Sequence, residues 1–211
     1  MRYFAIILTC IATPLWAHPH VFIDTGFKLV VNDTGEVTGV EVLWRYDELY
    51  SLLILEDMEL DPDFDGVLTA PELAKLNGFD LNWVKGFEGD LYAKADGKPV
   101  KLGAPQNRGT SVEDGQIISR HFRAISGAGT ELALKAYDPT YYTAYELNFG
   151  VDLPKGCTFS VIKADVKAAN AKVRALLGDD MDLLANDPNA DWPAVGEEYA
   201  DEVRVSCAAG Y

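Results

Sequence analysis

Two runs of residues, HVFIDTGFKLVV (20–31) and VTGVEVLWRY (37–46), constrain this chain more than any other feature. Both are dense in β-branched and aromatic side chains, and the turn cluster Asn32-Asp33-Thr34-Gly35 lies between them. Such a pair predicts an antiparallel hairpin. In the second run Val40, Val42, Trp44 and Tyr46 fall on one face, with Glu41 and Arg45 on the other. That is the alternation of a strand with one face buried. The chain must therefore build a sheet and cover one side of it.

From Asp47 the periodicity changes. DELYSLLILEDMEL (47–60) and PELAKLNGFDLNWVKG (71–86) place leucines near helical spacing on either side of an acidic stretch. They predict a helix–loop–helix over about 47–86, inserted into a β-rich chain. LYAKADGKPVKL (91–102) carries Asp96-Gly97 between two short strands, a hairpin signal. Residues 103–114 are polar and glycine-bearing and read as a loop. Strands resume at QIISRHFRAI, ELALKAYD and CTFSVIKA, and KADVKAANAKVRALLG reads as a later helix. Residues 179–191 read as a loop, and EEYADEVRVSC as a final strand that returns to Cys157.

The first 17 residues, MRYFAIILTCIATPLWA, have a basic start, an apolar centre and a small residue at Ala17. This is the layout of a secretory signal peptide, cleaved between Ala17 and His18. Its apolar run falls short of the roughly 20 residues that span a bilayer. No direct membrane anchor is expected, and the expected location is the periplasm. Removing 17 of the 211 residues leaves 194 in one domain, 18–211, with 17 basic and 33 acidic residues and a net charge of −16. That charge repels nucleic acid and anionic lipid as partners and favours cations. Cleavage also removes Cys10 and leaves Cys157 and Cys207, an even pair that reads as a disulfide in an oxidising compartment.

Within the predicted insertion, residues 61–72 read DPDFDGVLTAPE. Asp61, Asp63 and Asp65 take positions 1, 3 and 5 of a twelve-residue loop, Gly66 position 6 and Glu72 position 12. This is the spacing of an EF-hand calcium loop. Calcium takes six to eight oxygens, so carboxylates must converge while the chain turns sharply at glycine. Val67 would add its carbonyl, Thr69 would act directly or through water, and Glu72 would close the site. Pro62 and Pro71 stiffen the loop, and the motif occurs once. The expected class is α+β: an antiparallel β-sheet, sandwich-like in one arrangement, with an EF-hand-like helix–loop–helix insertion and a later helix.

The chain has three histidines, and two stand in AHPHVFID. On a strand, residues two apart point the same way, so His18, His20 and Asp24 share a face. Imidazoles so placed suit zinc, nickel, cobalt or copper, with Asp24 as ligand or as acceptor behind a ligand. The amine of a mature His18 would chelate together with its own ring. His121, on a later strand, would join them if the sheet brought it to the same edge. In AYDPTYYTAYEL, Tyr137, Tyr141, Tyr142 and Tyr145 read as a half-buried strand and turn, or as the lining of a polar site. No zinc-protease helix, nucleophile elbow or phosphate loop is present, so no catalytic residue is assigned.

AHPHVFID, DPDFDGVLTAPE, AYDPTYY and the terminal YADEVRVSC together resemble a bacterial family of exported proteins, domain of unknown function 1007. It has been labelled a periplasmic component of an uncharacterised ABC-type transport system. The resemblance spans essentially the whole mature chain. It implies a metal-handling accessory to a membrane cation permease or ABC-type transporter, because members are often encoded near nickel/cobalt-type permeases. Two other readings stay open. One is a copper-dependent oxidoreductase with an amino-terminal histidine brace, using His18 with His20 or His121. The other is a calcium-stabilised module that binds another envelope protein.

Overall fold

The computed structural model describes residues 19–127, 131–178 and 193–208. The expected signal peptide, the cleavage point at Ala17 and His18, and the 179–191 loop lie outside them. Two five-stranded sheets face each other. The first has the order β5-β6-β2-β1-β8, built from Gln106–Glu113, Gln116–Ala124, Val37–Tyr46, Val21–Val31 and Thr143–Asp152. The second runs β4-β3-β7-β10-β9, built from Lys98–Val100, Leu91–Ala95, Glu131–Ala136, Glu202–Cys207 and Cys157–Ile162. Buried apolar side chains from both sheets form one contiguous cluster. The architecture is α+β and mostly antiparallel β.

The β1–β2 hairpin forms as the alternation requires, with Val40, Val42, Trp44 and Tyr46 buried. The Asp96-Gly97 turn joins β3 and β4 with both residues at positive φ, 47° and 74°, as a two-residue hairpin turn demands. The last strand, β10, returns to β9 with Cys207 opposite Cys157, and the two are disulfide-bonded. Two strands depart from expectation. β8 runs parallel to β1, so the first sheet is not purely antiparallel. Residues 106–113, expected as loop, are strand β5. Its side chains are exposed or half-buried, and backbone pairing with β6 rather than an apolar face holds it extended.

Helix α1 (Glu48–Asp57) starts at Asp47, whose carboxylate accepts from Tyr50 N–H at 2.8 Å and from Phe22 N–H at 2.8 Å. One side chain thus caps the helix and pins it to β1. Helix α2 covers only Ala70–Leu76, not the stretch to 86. Gly78 turns the chain at φ 81°, and tight turns close from Phe79 N–H to Leu76 and from Leu81 N–H to Gly78. Helix α3 (Val166–Leu177) packs Val173 and Leu177 against Val195, beside the short α4 (Gly196–Tyr199).

Candidate functional site

Three places gather chemistry-bearing side chains. In the 61–72 loop the ligand oxygens of Asp61, Asp63 and Asp65 lie within 4.8 Å of one another. The turn holds them there. Asp61 accepts from the N–H groups of Asp65 (3.1 Å) and Gly66 (3.0 Å), and Asp65 from Val67 N–H at 2.8 Å. Glu72 ties the ends of the loop, accepting from Thr69 N–H (2.8 Å), the Thr69 hydroxyl (2.6 Å) and Asp61 N–H (3.2 Å). The Thr69 hydroxyl, then its N–H, hold the Glu72 carboxyl below its ordinary range. Three converging carboxylates are a hard-oxygen donor set suited to calcium.

The histidine end of β1 meets the DPTYY turn. His20 N–H and Val21 N–H both donate to the Tyr142 carbonyl, at 2.8 and 3.2 Å, and the His20 and Tyr142 rings sit 4.8 Å apart. Asp138 shapes this turn by accepting from Thr140 N–H, the Thr140 hydroxyl and Thr143 N–H. Gly196 donates to the Pro139 carbonyl, and a Cβ there would lie 1.7 Å from the Asp138 carbonyl oxygen, so only glycine fits.

The other expected ligands are elsewhere. Asp24 is four strand residues from His20, about 13 Å along the chain. It binds Arg45 Nε at 3.0 Å and Asn148 at 2.6 Å. His121 pairs with Val42, which pairs with Phe27, seven residues from His20. That is about 23 Å along the strand and two strands across. The sheet does not bring His121 to the histidine edge.

His121 instead lies fully buried, edge-on to Trp44 and Trp83, with no hydrogen-bond partner at either ring nitrogen. Burial, then the Arg123 charge, pushes its pKa down to about 3, so it is neutral in the folded protein. Beside it is a cleft of about 330 Å³ between α1, the turn after α2 and the inner face of the first sheet. Asp80 lines it and accepts from the Tyr46 hydroxyl (2.9 Å) and the Ser119 hydroxyl (2.5 Å), leaving its other oxygen buried without a donor. Asp90 accepts from the Tyr145 hydroxyl at 2.9 Å. Burial raises the Asp80 pKa and pushes Asp90 up to about 7. No local sign in the sequence marks these acids, because the partners of Asp80 and Asp90 stand 34 to 55 residues away.

The fold and these sites define a two-sheet β protein with an acidic loop and a polar, aromatic cleft. The chain belongs to the family described as protein of unknown function (DUF1007), whose pattern matches residues 3–207. No curated protein matches it. Among solved structures, AChBP from Bulinus truncatus is similar at TM-score 0.32 and 10% identity, over 93% of this chain and 91% of that one. At that score the likeness says nothing of function.

Proposed function

We propose that this is an exported, non-enzymatic cation-binding protein that serves a membrane cation permease or ABC-type transporter, with calcium in the 61–72 loop. The observation that supports it is the convergence of Asp61, Asp63 and Asp65 in a loop closed by Glu72. Val67 and Thr69 would complete the oxygens around the ion. Export is in keeping with the Cys157–Cys207 disulfide. No helix among the described residues is long and apolar enough to cross a membrane. A transition metal (zinc, nickel, cobalt or copper) would bind at His20 together with the mature amino terminus at His18.

Calcium bound by the folded loop raises the melting temperature by mass action. Glu72→Gln is expected to remove most of that rise. An equal calcium shift in both proteins would reduce the loop to a turn. The histidine site is tested by calorimetry with each of the four metals on processed protein and on His20→Ala. A second reading, a calcium-braced module that docks another envelope protein, draws on α1. Its Leu49, Leu52 and Leu53 are 64%, 47% and 50% exposed. Alanine at all three would abolish docking while leaving metal binding intact.

A further inference from the structure

We propose that the cleft beneath α1 binds a small organic cation, a protonated alkylamine or a quaternary ammonium ion. Six aromatic side chains line it, among them Trp44, Tyr50, Phe79 and Phe87, together with the carboxyls of Asp80 and Asp90. No lysine, arginine or histidine is among its lining residues. Aromatic faces carry negative electrostatic potential and attract a cation of diffuse charge. Two acids with no basic counterweight repel an anion. A compact metal ion requires several converging oxygen or nitrogen ligands. Among the described residues the groups of three such atoms come down to Asp61, Asp63 and Asp65, outside this cleft. At about 330 Å³ the space is at the small end of ligand pockets and suits a guest of a few heavy atoms.

Charge linkage gives the site a signature. Asp90 faces the Tyr145 hydroxyl from β8, with Asp138, Tyr92 and Tyr137 nearby, and among the described residues it makes no ion pair. Asp80 faces the Tyr46 and Ser119 hydroxyls. A bound cation supplies the missing positive charge and favours the ionised carboxylates. Binding therefore expels protons, and affinity falls as pH drops through about 7.

Calorimetry and Trp fluorescence on the mature protein test this, with n-butylammonium and tetramethylammonium as probes and n-butanol as the uncharged match. Saturable binding of an ammonium ion, with n-butanol about tenfold weaker or more, is the expected result. Asp80→Asn and Asp90→Asn, each checked for a native melting transition, should weaken it about tenfold. Moving from about pH 8 to pH 6 should do the same in the unmutated protein, which decides the matter if a variant fails to fold. Equal binding of n-butanol, no saturation by either ammonium ion, or affinity indifferent to pH and to both acids would overturn the proposal. Calcium does not compete if the cleft and the 61–72 loop are separate sites. Competition by calcium would likewise overturn it.

Discussion

The inner faces of the two sheets solve the same problem with opposite chemistry. The second sheet contributes Leu91, Ala93, Leu132, Leu134, Val203 and Val205, all aliphatic and all buried. Part of the first sheet contributes Trp44, Tyr46, Ser119, His121 and Arg123 to the same interior. On that side Thr25 Oγ1, Trp44 Nε1 and both His121 nitrogens have no hydrogen-bond partner. Unpartnered buried polar groups cost about 1–3 kcal/mol each. The aliphatic sheet is framework. The polar half carries an energetic cost that the aliphatic sheet does not.

Several measurements would break or sharpen this contrast. The largest effect belongs to the disulfide, which ties the edge strand β9 of the aliphatic sheet to β10. Its loop of about 51 residues predicts a loss of up to about 4 kcal/mol on reduction, read as a lower melting temperature. Native thiols that label without reduction would contradict it. Leu134→Ala is next, at about 3 kcal/mol, because a fully buried leucine leaves a cavity. His121→Leu should cost nothing at pH 7, or stabilise by about 1 kcal/mol, since it removes two unpartnered atoms. A loss as large as that of Leu134→Ala would abolish the distinction between the two faces.

The smallest effect in the unmutated protein becomes visible in variants. His121 stays neutral in the fold down to about pH 3, while the unfolded chain takes up its proton near 6.5. Acid therefore removes stability between about 6.5 and 3. Asp90 stays protonated in the fold up to about 7, while the unfolded chain ionises near 3.9. Rising pH therefore removes stability between about 4 and 7, and the raised Asp80 pKa adds to this. The slopes oppose each other, each at most about 1.4 kcal/mol per pH unit. Two acids oppose one histidine, so melting temperature should fall gently from pH 4 to 6.5 in the unmutated protein, more steeply in His121→Leu and least in Asp90→Asn.

Local pattern carried much of the fold into the sequence. The β1–β2 alternation, the Asp96-Gly97 turn and the return of β10 to Cys157 were all legible, because each rests on neighbours or on a scarce residue type. Strand β5 was not, since its residues are polar and largely exposed and its reason to be extended lies in β6. The end of α2 was missed because Leu81 and Val84 continue a helical spacing that Gly78 interrupts. The cleft was the least legible part. Asp80 and Asp90 are two acids among 33, and only tertiary contacts with Tyr46, Ser119 and Tyr145 distinguish them.

The parallel pairing of β1 with β8 sets a timetable. β2 arrives within a few residues to bond one edge of β1, but Val21 meets Thr143 on the other edge, 122 positions later. A chain threaded outward from its amino terminus presents that second edge bare until two thirds of the polypeptide has emerged. Bare strand edges recruit other strands, and non-local pairings close slowly. Folding from the amino terminus is therefore a race between the arrival of β8 and capture of β1 by a neighbouring chain, in which slower emergence of the polypeptide lengthens the hazard.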